Sequence, residues 1–284
     1  MNAYARKHAS AAAAAIALAA VLAGCSGAPE EPAAEPAGST SDVTVSTAPE
    51  SPTPTPSASA SDQSDDFETA VEFTRLTHED KNKEASRLVV PESPAARYLA
   101  HQVLIRKARI IARVPDQGNF PTVKADRKTQ SIGIVYPTEE PVEGEKSSKP
   151  LTYTWQDFTF DQGKVTGWTG ASGPVKDVLW TRQTTAKSEG RKAVLKSAYL
   201  ANSKSVWITV ELSSRVETGF ASAEYAAEDG YRHGMVEQYA SELSEGEKTL
   251  AYFVVVYPEF GGTLHIPYTD VEGFDEGELV LTIK

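Results

Sequence analysis

Residues 151–164 read Leu151-Thr152-Tyr153-Thr154-Trp155-Gln156-Asp157-Phe158-Thr159-Phe160-Asp161-Gln162-Gly163-Lys164. Rings at 153, 155, 158 and 160, spaced by threonines, have the aromatic and β-branched character of a strand. Asp161-Gln162-Gly163-Lys164 supplies a glycine-bearing turn, and Val165 and Trp168 resume the apolar pattern beyond it. The spacing predicts a β-hairpin. Just upstream, residues 124–136 carry the alternation Ile132, Ile134, Tyr136, which predicts another strand of the same sheet.

Helical periodicity precedes these strands. Asp65 followed by Glu68 has the form of a capping box, with Phe67, Ala70, Val71 and Thr74 on one face behind it. A second helix is expected from Thr77 toward Val90, stopped by Pro91. A third begins at Pro94, presents Ala96, Ala100, Val103, Leu104, Ala108 and Ile111 as an apolar stripe, and stops before Pro115. Helices followed by a curved antiparallel sheet are an α+β layout. The order of helices, then a Tyr-x-Trp-x-x-Phe-x-Phe-Asp-x-Gly-Lys hairpin, resembles the cone-shaped NTF2-like superfamily over roughly residues 66–180. For an enzyme of that kind the resemblance implies a buried carboxylate base and a tyrosine donor, parts for which Asp157 and Tyr153 are the available residues. The plainer reading makes Tyr153, Trp155 and Phe160 sheet core and Asp157 surface.

Farther out the chain reads as all-β. Residues 194–200 and 205–212 alternate, the latter with Val206, Ile208 and Val210 on one face and Trp207 on the other. Residues 225–231 read as a polar turn, 250–257 as a nearly continuous apolar strand, Gly261-Gly262 as a turn, and 263–266 and 278–284 as strands. Leu243-Ser244-Glu245-Gly246-Glu247 before the apolar strand is similar to a turn in immunoglobulin-like accessory domains of bacterial secreted and lipid-anchored proteins. That resemblance implies a sandwich over 191–284 and brings no catalytic residue with it.

The N-terminus is a different polymer. Arg6 and Lys7 precede an uninterrupted apolar run from 11 to 22, too short to span a bilayer, ending in Leu22-Ala23-Gly24-Cys25. This resembles the bacterial lipobox, which implies cleavage before Cys25 and a diacylglycerol on its thiol. Cys25 is the sole cysteine of the chain. Residues 26–66 are Pro, Ala, Ser, Thr and acids without a lysine or arginine, the composition of an extended tether. The expected organisation is therefore a signal peptide at 1–25, a tether at 26–66, an α+β NTF2-like domain at 67–181 and an immunoglobulin-like sandwich at 191–284. A polar run, Arg182 to Gly190, divides the last two, and their formal charges differ, +2 for 67–190 and −7 for 191–284.

The chemistry is excluded more readily than assigned. A net charge of −11 opposes nucleic acid as the main partner, and one cysteine excludes a disulfide framework or a cysteine-rich metal site. His78, His101, His233 and His265 stand at no metal-ligand spacing. Gly170-Ala171-Ser172-Gly173 lacks the spacing of a nucleophile elbow, and no phosphate-cradling glycine motif occurs. No catalytic residue, metal or cofactor is therefore expected. Asp270, Glu272, Asp275, Glu276 and Glu278 form an acidic run that reads as solvated, with calcium as the functional alternative. Arg106, Arg109 and Arg113 fall on one side of the third helix, a candidate anion-binding face for lipid headgroups or acidic wall polymers.

These readings combine into one expectation. The protein is anchored to the membrane through a lipid on Cys25, faces the extracytoplasmic side, and binds an envelope protein or wall component without catalysis. The alternatives are an enzyme using a carboxylate in the cone and a substrate-binding lipoprotein feeding a transporter.

Overall fold

The computed structural model describes residues 60–114, 120–137, 150–234, 237–238, 242–256, 260–270 and 276–283. Cys25 and the tether up to residue 59 lie outside them.

Three helices open the described chain: α1 (Ala60–His78), the single turn α2 (Asn82–Ala85) and α3 (Pro94–Ile111). Asp65 is inside α1 rather than at its start, so the Asp65–Glu68 pair is no cap. Phe67, Ala70, Phe73, Thr74 and Thr77 are buried along α1, and the two threonine hydroxyls donate to carbonyls one turn back, each at 2.8 Å. The helix expected over 77–90 does not form. Asp80 turns left-handed (φ +59°), and the Lys81 and Asp80 amides close onto the carbonyls of Leu76 and Thr77. That closure is a Schellman stop. α3 starts where Pro94 places it, with Ser93 accepting from the Ala96 amide at 3.2 Å, and ends in a second Schellman turn around Arg113 (φ +54°).

Five strands follow in a simple antiparallel meander, β1 (Thr122–Asp126), β2 (Ser131–Tyr136), β3 (Leu151–Asp161), β4 (Lys164–Gly170) and β5 (Gly173–Pro174). The quoted stretch is β3 and the turn into β4. Gln162 (φ +49°) and Gly163 (φ +73°) are both left-handed, the geometry that matches strand twist in a two-residue hairpin. A bulge at Asp157 (φ +51°) inserts one residue. Strict alternation would send 153 and 155 to one face and 158 and 160 to the other. The bulge restores a common face, so Trp155, Phe158 and Phe160 all pack into the cluster with Phe73, Tyr98 and Trp168. Trp155 stacks on Trp168 at 4.3 Å, and Tyr98 sets its edge against both.

After the single turn α4 (Val175–Val178) come β6 (Leu179–Trp180), β7 (Thr185–Ser188), β8 (Arg191–Leu200) and β9 (Ser205–Ser214). Then follow β10 (Thr218–Phe220), β11 (Glu224–Ala227), β12 (Arg232–Gly234), β13 (Glu237–Gln238), β14 (Glu242–Leu243), β15 (Lys248–Val256), β16 (Gly262–Asp270) and β17 (Glu276–Ile283). They build two six-stranded antiparallel sheets. One runs β13-β15-β9-β8, with β6 and β7 both on the free edge of β8. The other centres on β16, which pairs with β17 on one side and with β10 and then β11 on the other. Val206, Ile208, Val210, Phe253 and Val255 meet Tyr225, Leu264, Ile266, Leu279 and Leu281 in one core. Tyr225, expected in a polar turn, is fully buried within β11.

The expected fold class is overturned. The structure is mostly β, 51% strand against 22% helix, with several antiparallel sheets and a curled half-barrel, and no helical NTF2-like domain is evident. Only the all-β reading of the C-terminal half agrees in part. Element order and one hairpin misled because neither specifies what a helix packs against. α3 does not simply line a cone. It lies between sheets, with Tyr98 and Leu99 in the cluster of the first sheet and Ile105 and Ala108 against Tyr252 and Val254 of β15. Covering β15 from both faces is also why residues 250–257 read as unbroken apolar sequence.

Candidate functional site

The expected apolar stripe of α3 is not the face that carries most of the contact. Ala96, Ala100, Val103 and Leu104 line an open groove beside α2, while Ile111 is 54% exposed at the helix end. That groove is larger, about 620 Å³, and mostly apolar, with Ser86 and Asn82 as its polar members; Asn82 Oδ1 is itself buried without a hydrogen-bond partner. A different stripe of α3 builds the candidate site. Tyr98, His101, Gln102, Ile105 and Arg109 recur at helical spacing, and all five border a cavity of about 330 Å³.

The other walls come from separate parts of the chain: His78 at the end of α1, Ile134 and Tyr136 of β2, Leu151, Tyr153 and Trp155 of β3, Tyr199 of β8, Trp207 of β9 and the turn Ala201-Asn202-Ser203 between them. The cavity thus sits where the curled sheet, α3 and the outer face of the β8–β9 hairpin meet.

Its polar groups are unusual. His78 Nε2 and Trp155 Nε1 are sealed from water and make no hydrogen bond, although their rings lie 5.5 Å apart. Asn82 Oδ1 and Trp180 Nε1 share that condition elsewhere. A buried donor or acceptor left unmade costs about 1–3 kcal/mol, and both of these belong to residues that border the cavity. Burial lowers the His78 pKa to about 4 and that of His101 to about 3, so both imidazoles are neutral at pH 7. Burial likewise raises the pKa values of the Tyr98, Tyr136, Tyr153 and Tyr199 phenols, which stay protonated. Gln102 beside Tyr98 and Ser203 beside Tyr153 partly oppose that rise.

One pair has the look of a nucleophile and base. His101 Nδ1 is 2.7 Å from Ser197 Oγ, which is 2.7 Å from Thr209 Oγ1. Thr209 in turn donates to the Ser197 carbonyl at 3.3 Å. Ser197 and Thr209 are buried, and neither borders the cavity. The chain of hydroxyls fastens α3 to β8 and β9.

The residues singled out from the sequence are placed as follows. Arg106 is tied to Asp80, at 3.1 Å from the carboxylate and 3.2 Å from the carbonyl. Arg109 turns to the cavity, and Arg113 occupies the left-handed stop after α3. Arg106 and Arg113 are exposed, and Arg109 is half-buried. Asp157 is exposed on the bulge, away from the cavity lining, whereas Tyr153 borders it. His265 bridges Glu278 at 2.9 Å and Thr263 at 3.0 Å within the sheet. Of the acidic run, Glu272 and Asp275 lie outside the described residues, and among the described residues no three His, Cys, Asp or Glu side chains gather as metal ligands. No described helix is long and apolar enough to cross a membrane.

Gln102, Asn202, Ser203 and Trp207 were missed by sequence reasoning. The second helical stripe, Tyr98-His101-Gln102-Ile105-Arg109, was the available signal, outweighed by the more apolar one beside it. Compared with protein-family models, with curated proteins and with solved structures, the chain matches none.

Proposed function

We propose that this is a non-catalytic binding protein of the cell envelope, anchored at the extracytoplasmic face through a lipid on Cys25, which takes a small ligand in the cavity beside α3. The observation that carries the binding role is a cavity of ligand size whose wall combines Tyr98, Tyr136, Tyr153 and Trp207 with the polar side chains of Gln102, Asn202 and Arg109. The anchoring role rests on the Leu22-Ala23-Gly24-Cys25 sequence and the lysine- and arginine-free tether behind it.

Binding is tested by presenting the full chain carrying Cys25→Ser with a mixed library of small fragments and soluble muropeptides, reading the tryptophan indole N–H signals by NMR. Compounds are expected to shift the Trp155 signal, and Ala201→Phe, which fills the cavity, is expected to abolish those shifts. A library that leaves Trp155 unmoved sinks the binding role. Anchoring is tested separately. Cys25→Ser is expected to stop incorporation of a labelled fatty acid and to move the protein out of the membrane fraction. Continued acylation of that variant would refute the lipid anchor.

A further inference from the structure

We infer that the cavity beside α3 takes a small organic carboxylate with a ring in its body, its carboxylate held by Arg109. The inference rests on the cavity being a ligand site and adds the chemical class.

The charge inventory points there. Among the described residues that border the cavity, Arg109 is the single ionised group; no aspartate or glutamate lines it. Its two histidines are neutral, as burial dictates, and its tyrosines keep their protons. Arg109 is half-buried, and no described carboxylate pairs with it. Its neighbour one turn back, Arg106, is by contrast satisfied by Asp80. A partly desolvated guanidinium with no counter-charge among the described residues favours an anion, and its planar fork matches a carboxylate with two parallel hydrogen bonds. One cation suits a monoanion; a phosphate dianion would call for a second.

The rest of the cavity selects the body of the ligand. From Tyr98 to Arg109 the lining stripe spans twelve residues of α3, a rise of about 16 Å. The cationic end is therefore separate from the neutral end, where Tyr98, His78 and Trp155 meet. Between them Tyr136 and Tyr153 stand edge to face at 5.7 Å, with Trp207 half-buried nearby. Aromatic walls favour a ring, and the Asn202 and Gln102 amides offer hydrogen bonds to substituents on it. A volume of about 330 Å³ is at the small end for ligand sites and admits one or two rings, not a polymer.

The test uses matched pairs that differ in charge alone. The full chain carrying Cys25→Ser is titrated calorimetrically with benzoate and 2-naphthoate, and with benzamide and 2-naphthamide. At least one carboxylate is expected to bind ten times more tightly than its amide. Arg109→Gln is expected to erase that preference, and Arg109→Lys to keep the preference with several-fold weaker binding, which separates lost charge from a damaged fold. Equal binding of acid and amide, or carboxylate binding unchanged in Arg109→Gln, overturns the inference. If neither carboxylate binds while library compounds still shift Trp155, the carboxylate class is refuted and the ligand site stands. If nothing shifts Trp155, the site itself falls.

Discussion

Lowering the pH from 7 to 5 is expected to cost the folded protein about 4 kcal/mol, with His78 and His101 contributing about 2 kcal/mol each. In the unfolded chain both imidazoles return to the ordinary value of 6.5, while burial holds them at about 4 and about 3 in the fold. Below pH 6.5 the unfolded state therefore binds protons that the native state refuses. Stability is complete above that value and is lost as the pH falls, down to about 4 for His78 and about 3 for His101. The surroundings offer no relief. His101 is fastened to Ser197 and faces Tyr199, and His78 faces Tyr136 and Trp155, so no carboxylate stands against either ring in these contacts. Urea unfolding at pH 7 and pH 5 measures the difference. The double variant His78→Gln, His101→Gln should flatten it whatever its stability at pH 7. A wild-type midpoint that stays put between the two pH values would refute the burial argument.

Gly262→Ala is expected to destabilise the sandwich by about 4 kcal/mol, the combined scale of backbone strain and overpacking. Gly262 opens β16 between Ala227 and Ile283, at φ +149°, where side chains are rarely tolerated. A methyl group there would press on the Ala226 carbonyl oxygen and come within 3.2 Å of Ala227 Cα. Both obstacles are backbone, so no rotamer change relieves them. Gly234, in β12 of the same sheet, has nothing within 4 Å of its missing methyl, and Gly234→Ala should change stability by no more than about 0.5 kcal/mol. Urea midpoints for the two variants make the comparison; a loss below about 1 kcal/mol at Gly262 would contradict the steric account.

What the sequence made legible was local. The 161–164 turn, the strand character around Trp155, the Pro94 start of α3 and the two faces of β9 all follow from periods of two or 3.6 residues and from turn chemistry. What it hid depended on partners distant in the chain. Asp157 gives no sign that it adopts a left-handed bulge, yet that one residue decides which face Phe158 and Phe160 share with Trp155. Tyr225 looks polar beside Glu224 and Glu228, but Leu264 stands beside it on β16, and the β9 and β15 side chains cover it from across the core. The cavity was illegible for the same reason. Residues 78, 98–109, 134–136, 151–155 and 199–207 converge only after α3 has been placed between two sheets, and no short motif encodes that meeting.

The placement of α3 has a consequence for how the molecule comes apart. With Tyr98 and Leu99 held by one layer and Ile105 and Ala108 by another, neither layer can melt alone without stripping the helix from its companion. His101, hooked to Ser197 near the middle, makes the detachment abrupt, since a buried hydrogen-bonded chain cannot be half released. Residues on both sides of the helix thus belong to one cooperative unit. A weakness introduced at Trp155 would lower the temperature at which β15 lets go, and the stabilities of the two halves cannot be adjusted one at a time.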